Sequence, residues 1–280
     1  MLRRSRFVLL GMLPAALAMV LGAPQPAAFR FVILGDRTGE AQPGVYEQVW
    51  RESAAEKAAF AVSVGDTIEG LNDAAAEREW RGVQRILRPY RSLPLYLAPG
   101  NHDIWSNASE KLYLQYAGRP VHYSFDYRQA HFTILDNSRS EALATEEMKF
   151  LESDLRQHAS QPVKFIVTHR PSWLLQVALN NPQFALHELA KRYGAKYVVA
   201  GHIHQLLHSD LDGVTYLSMP SSGGHLRLSK RYEDGWFFGY ALVEVRGEEV
   251  DLRIKELKPP HGEARSTGLK DWGKVGLIRP

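Results

Sequence analysis

The 280-residue sequence predicts an α/β domain in which βαβ units run into antiparallel strands. Three observations carry that reading. From Phe29 onward, short β-branched and aromatic runs alternate with helical patterns. Many of these runs end in Asp, Asn or His. The last third of the chain holds short apolar runs with little helical pattern between them.

The elements follow in order. Phe29–Leu34 reads as a strand ending in Gly35-Asp36, and a helix from Val45 to Ala59 follows Pro43-Gly44. A second strand, Phe60–Val64, ends in Gly65-Asp66. Trp80, Val83 and Leu87 recur at helical spacing, which gives a helix with one buried face. A third strand, Leu93–Ala98, ends in Pro99-Gly100-Asn101-His102. Val121–Tyr127 and His131–Leu135 form a hairpin about Arg128-Gln129-Ala130. Thr145 caps a helix carrying Met148, Leu151 and Leu155 on one side. Val163–Thr168 runs into His169, and Lys196–Ala200 runs into Gly201-His202-Ile203-His204. Gln205–Leu211, Val214–Ser218, Trp236–Val245 and Val250–Leu257 read as strands. The tail after Lys258, rich in proline, glycine and charge, reads as irregular. No internal repeat is visible, so residues 29–257 form one domain and 258–280 a tail.

Residues 1–28 read as a secretory signal peptide. Arg3, Arg4 and Arg6 precede an apolar run from Phe7 to Gly22, and small residues follow at Ala23–Ala28. The run is shorter than the ~20 residues of a membrane-spanning helix. Export is therefore expected, with an uncleaved N-terminal anchor as the alternative. The three arginines also account for the charge. Without them, 34 basic residues become 31, against 31 acidic ones. The body shows no basic stripe of the kind that phosphate-backbone binding needs, so nucleic acid is not an expected partner. The absence of cysteine excludes disulfides and thiolate-bound zinc or iron–sulfur centres.

Asp36, Asp66, Asn101, His102, His169, His202 and His204 all fall at the C-terminal ends of expected strands, the edge where α/β folds bind ligands. A single Asp there is usually a cap or turn residue, and a single His usually a surface or core residue. That reading is poor for an ordered series. Carboxylate, amide oxygen and imidazole without thiolate suit Mn, Fe or Zn. Three histidines and two aspartates exceed what one four-coordinate metal needs. Two metals sharing a bridging carboxylate would use them all. Such a pair, ~3.5–4 Å apart, activates a bridging water and clamps an in-line displacement at phosphorus.

The ordered set Gly35-Asp36, Gly65-Asp66, Gly100-Asn101-His102-Asp103, His169 and Gly201-His202-Ile203-His204 resembles the calcineurin-like metallophosphoesterase superfamily. The resemblance covers Phe29 to Leu257. It implies a four-layer α/β/β/α sandwich, two mixed sheets flanked by helices, with a dinuclear metal site at the strand ends. It implies Asp36, Asp66 and His204 on one metal, and Asp66 (bridging), Asn101, His169 and His202 on the other. It implies His102 as the acid that protonates the leaving oxygen of a phosphomonoester or phosphodiester attacked by a metal-bridging hydroxide.

The chain departs from the family at its first motif, which usually reads Asp-x-His. Here it is Asp36-Arg37-Thr38. Threonine is a weak neutral ligand, so the first metal binds through water on Thr38, recruits another group, or is held more loosely. Glu69 is the candidate group. In purple acid phosphatases a tyrosine at that offset ligates metal. In protein phosphatases of the superfamily an acidic residue there orients the catalytic His, the role favoured for Glu69 over that of a solvated loop residue. Arg37 is a candidate to bind a phosphoryl oxygen bidentately, against the plain reading of a surface arginine. Trp105 and Trp173 are candidate pocket walls, whereas His225 is not expected to touch substrate. The loops Ile104–Pro120 and Pro171–Pro182 are expected to set the substrate. The competing function is a degenerate binding or scaffold module with an incomplete metal site.

Overall fold

Three parallel strands, β1 (Phe29–Leu34), β2 (Ala61–Ser63) and β3 (Leu95–Leu97), lie side by side and end along a common edge. They belong to a six-stranded mixed sheet completed by β10 (Gly239–Arg246), β11 (Glu249–Glu256) and β12 (Ser266–Gly268), in the order β12-β11-β10-β1-β2-β3. The second sheet has the order β4-β5-β6-β7-β9-β8. Its strands are β4 (Tyr123–Tyr127), β5 (Ala130–Ile134), β6 (Val163–Val167), β7 (Tyr197–Ala200), β8 (Leu207–Leu211) and β9 (Val214–Ser218). This computed structural model describes residues 27–277; the basic and apolar segments of the leader lie outside the described residues.

The central strands are buried on both faces, so their sequences are almost unbroken apolar runs. In β1, Phe29, Phe31 and Ile33 face the space between the sheets, whereas Val32 and Leu34 pack with the helices. Phe31 stacks on Phe60 at 5.1 Å and meets Phe132 and Phe165 edge-on at 5.0 and 5.3 Å. Each fully buried aromatic of this kind contributes roughly 1.5–3 kcal/mol of burial. On the outer face of the first sheet lie α1 (Val45–Ala55), α2 (Asp73–Leu87) and α3 (Asn107–Ala117), which pack Trp50, Trp80 and Tyr113 inward. Covering the second sheet are α4 (Thr145–Gln157), α5 (Leu174–Ala178) and α6 (Ala185–Tyr193). The result is the expected four-layer sandwich of two mixed sheets between helices.

Several local expectations change. The first helix stops at Ala55, four residues short of its expected end. The segment Ile104–Pro120 is not a free loop. It holds α3, opened by a reciprocal Ser106–Ser109 capping box and closed by Gly118 in the left-handed conformation. In Pro171–Pro182, α5 occupies the centre. Nor is the tail wholly irregular: Ser266–Gly268 pairs antiparallel with Arg253–Lys255 and extends the first sheet. Trp173 is no pocket wall, because it is fully buried and packs 5.1 Å from Tyr216 in the core.

Beneath the second sheet lies an ionic network in which His131 and Asp154 are buried and Asp126 is exposed. His131 places Nδ1 2.7 Å from Asp126 Oδ1 and Nε2 2.8 Å from Asp154 Oδ2. Burial opposes charge on His131, but the hydrogen bonds it donates to Asp154 and Asp126 outweigh it and hold its pKa above the usual range. Burial likewise opposes charge on Asp154. Donation from His131, Ser124 and Thr133 outweighs it and holds that carboxyl below its usual range. A histidine with a raised folded pKa stabilises most below its unfolded value and loses that contribution as pH rises through the folded one. The depressed aspartate contributes above its unfolded value and loses that contribution as pH falls. The pair is thus fully effective between about pH 4 and 6.5. Asp154→Ala should cost about 3–5 kcal/mol near pH 6, and less at pH 9, as measured by urea unfolding.

Candidate metal centre

The strand ends deliver six oxygen- and nitrogen-bearing side chains to one place. Asp36 and Asp66 follow β1 and β2, and Asn101 follows β3. From the second sheet come His169 after β6, and His202 and His204 after β7. Two clusters share Asp66: Asp36, Asp66 and His204, and Asp66, His169 and His202, with candidate ligand atoms in each within 4.8 Å of one another. Asn101 joins the second cluster, its Oδ1 3.0 Å from His169 Nε2.

Close approach depends on backbone conformation. Asp66, His202 and His204 all have left-handed φ values of 56°, 70° and 61°, each costing of order 1–3 kcal/mol. A Cβ on Gly201 would lie 2.5 Å from Asp36 Oδ2, and one on Gly100 2.2 Å from Asp66 Oδ1. Only glycine lets these turns run against the carboxylates.

The electrostatics have a clear pattern. Asp36 is pushed well above the usual carboxyl range by burial and by repulsion from Asp66. Asp66 is raised by burial, although His102 acts against the shift. His169 and His202 are pulled down to about 3, and His204 to about 4, all mainly by burial. The histidines are therefore neutral, and backbone carbonyls set the tautomers of His169 and His204. His169 Nδ1 donates to the Val64 carbonyl at 2.9 Å, which leaves Nε2 as a bare lone pair. That lone pair faces Asn101 Oδ1 at 3.0 Å and Asp66 Oδ1 at 3.3 Å. His204 repeats the device: Nδ1 donates to the His225 carbonyl at 2.9 Å, and the buried Nε2 has no hydrogen-bond partner. Oxygen and imidazole nitrogen thus converge, with His202 Nδ1 also 3.2 Å from His169 Nε2. Such a donor set fits a cation, and imidazoles oriented by backbone carbonyls are how proteins hold one.

The surrounding residues divide differently from expectation. His102 donates its backbone N–H to Asp66 Oδ1 at 2.9 Å, and its Nδ1 is hydrogen-bonded to Glu69. The partner atom is the Glu69 backbone carbonyl, not the carboxylate favoured from the sequence. That carboxylate accepts from the backbone N–H groups of Ala41 (2.6 Å) and Glu40 (3.2 Å) and ties down the loop after β1. Thr38 is fully buried, and its hydroxyl makes no hydrogen bond. Arg37 donates to the Thr67 carbonyl at 3.0 Å and lies over the Tyr46 ring, so its guanidinium serves the scaffold. The guanidinium beside the clusters belongs instead to Arg170, 3.4 Å from His202 Nε2.

Four supporting residues went unassigned in the sequence. Asp103 accepts from Gly100, Thr67 and Ile68 N–H groups and so locks the second and third strand ends together; burial, with Asp66 adding, pushes it up to about 7. Its signal was visible, directly after Asn101-His102. Asn137 Oδ1 accepts from both His169 N and Arg170 N at 3.0 Å. His225, set aside earlier, orients His204 through its carbonyl. Arg227 donates to the His202 carbonyl at 2.8 Å.

The family model described as calcineurin-like phosphoesterase matches residues 29–206, and the chain belongs to that family. The 3′,5′-cyclic adenosine monophosphate phosphodiesterase CpdA of Escherichia coli (strain K12) is 29% identical over 171 residues, 58% of this chain and 60% of that protein. A 3′,5′-cyclic-nucleotide phosphodiesterase, alr5338, of Nostoc sp. is 26% identical over 161 residues, 54% of this chain and 59% of that one. The match thus spans about three fifths of these relatives. Among solved structures, the purple acid phosphatase PPD1 of yellow lupin shares the fold, with a TM-score of 0.65 and 18% identity over 90% of this chain and 54% of that one.

Asp103→Ala would strand three buried N–H groups. The expected loss is about 3 kcal/mol of stability, read by urea unfolding at neutral pH.

Proposed function

We propose that this chain is an exported, metal-dependent hydrolase of small phosphodiesters, with 3′,5′-cyclic nucleotides the first substrates to test. The observation that carries the reading is the convergence of imidazole nitrogens, an amide oxygen and two carboxylates on one strand edge, with the Nε2 lone pairs of His169 and His204 turned into the site. Family membership and the phosphodiesterase names of the relatives support the substrate class; the order of residues 1–28 supports export. Asp36, Asp66 and His204 would hold one divalent ion, and Asp66, Asn101, His169 and His202 a second. Once bound, Mn, Fe or Zn supplies Lewis acidity to a phosphoryl oxygen and lowers the pKa of a water.

The chain's own part is positional and acid–base. Asp66 anchors His102 through the backbone, so the imidazole moves with the carboxylate common to both clusters. Because Nδ1 of His102 donates to the Glu69 carbonyl, Nε2 is the nitrogen left to face the departing oxygen, and it gives up a proton there from the doubly protonated ring, leaving the neutral ring with Nδ1–H still on the carbonyl. Arg170, standing beside His202, offers positive charge to a phosphoryl group. The partnerless Thr38, in place of the family's histidine, favours a second reading in which the first ion binds weakly and the chain acts as a binding module.

Ion content separates the two. Protein stripped with chelator and reloaded with Mn, Fe or Zn should bind two ions per chain and regain turnover of cyclic nucleotides or other small diesters. Neither retained ions nor turnover on any diester or monoester would leave only the binding module. Asp66→Ala should abolish hydrolysis and lower ion content at both clusters, by metal analysis of the purified variant.

His102→Ala has a more specific signature. A proton donor typically contributes about 10²–10⁴-fold, but only where the leaving group needs the proton. The variant should keep its ions, lose most activity on alkyl esters, and lose far less on nitrophenyl esters. Comparison of kcat/KM for the two substrate types at matched ion content is the measurement. An equal loss on both would remove His102 as the acid.

A further inference from the structure

A cavity lies away from the strand-end clusters, between α2, the 3-10 turn at Arg88–Tyr90, and β3. Its volume is about 660 Å³, in the usual range for small-ligand sites. We propose that it binds a small planar anion: an aromatic ring carrying a sulfonate, carboxylate or phosphate. The inference is independent of the phosphoesterase reading. No residue of the two metal clusters lines this cavity.

Charge gives the sign of the ligand. From Trp80 to His102 the chain carries four arginines and no acidic residue. All four, Arg81, Arg85, Arg88 and Arg91, are exposed and line the cavity, and no carboxylate does. Arg81, Arg85 and Arg88 recur at i, i+4 and i+7, which puts them on one side of α2 and its continuation. Arg81 pairs with Glu77. Among the described residues, Arg85, Arg88 and Arg91 form no ion pair. In a body whose basic and acidic residues balance, such an unneutralised cluster is a local excess, and guanidinium groups suit oxyanions.

The walls give the shape. Tyr90 stacks on Trp50, with centroids 5.8 Å apart and planes at 28°. Tyr116 stacks on Trp80, at 5.5 Å and 5°. Both tryptophans are buried and both tyrosines half-buried, so two rigidly backed phenol rings line one cavity. Aromatic faces of this kind bind planar rings, and arginine can stack as well as pair.

The test uses the full chain and 8-anilinonaphthalene-1-sulfonate, read by its fluorescence. Saturable binding is expected, with one probe per chain. Arg85→Glu/Arg88→Glu/Arg91→Glu should weaken it about tenfold or more while keeping the wild-type melting temperature and any hydrolytic activity. Ala117→Trp, which fills the cavity from α3, should also abolish binding; should that variant fail to fold, the arginine variant decides alone. In competition, inorganic sulfate, which lacks a ring, and N-phenyl-1-naphthylamine, which lacks a charge, should each be at least about tenfold weaker. Unchanged probe affinity in the arginine variant would overturn the proposal. So would sulfate competing as well as the probe, which would reduce the site to a charged patch, or the neutral amine doing so, which would reduce it to an apolar one.

Discussion

Two carboxylates buried side by side are the constraint on which the rest of this molecule turns. Asp36 and Asp66 repel one another inside the protein, and burial penalises the charge of each. Their positions are enforced by backbone donors. His202 N–H gives to Asp36 at 2.8 Å, and His102 N–H to Asp66 at 2.9 Å. The left-handed turns at Asp66, His202 and His204 and the glycines at 100 and 201 follow from this demand, since the donors cannot reach the carboxylates otherwise. The aromatic core between the sheets supplies the rigidity against which those strained turns are held.

Much of this was legible in the sequence for one physical reason. Strands buried on both faces are written as continuous apolar runs, and their ends are marked at once by the polar residues that follow. The six candidate ligands were found because each lies within four residues of such an end. Where structure depended on distant partners, the signal failed. The three residues of β12 are a strand only because β11 lies alongside them. The helix α3 opens with Asn107-Ala108-Ser109 and buries little besides Ser109 and Tyr113, so its periodicity is faint. His225 acts on His204 through its backbone carbonyl, a contact to which side-chain identity gives no clue, and the Asn137 amide meets the backbone of His169 and Arg170 only because the fold brings residues more than 30 apart together. Glu69 shows the same limit from another side. An offset from Asp66 placed the right residue beside His102, but it could not show that the carbonyl makes the contact.

The loops expected to govern substrate choice also change meaning. With α3 in one and α5 in the other, their backbones satisfy their own hydrogen bonds, and less of either is free to adapt to a ligand. Arg170 is better placed to discriminate, because its loop is clamped by Asn137 and its guanidinium is paired with Glu141. Specificity would then reside in a few fixed polar groups at the rim, among them Arg170 and Arg227.

The two clusters have a mechanical meaning that follows from their ancestry in the sheets. Asp36, Asp66 and Asn101 come from one sheet, and His169, His202 and His204 from the other. Neither cluster can close within a single sheet. An ion held there is a rivet through the sandwich, drawing together at one rim two layers that the phenylalanine stack joins in the middle. Slippage between the layers would be resisted by ion affinity, and ion affinity would in turn report how well the layers are seated, by the reciprocity that ties any ligand to the conformation it prefers.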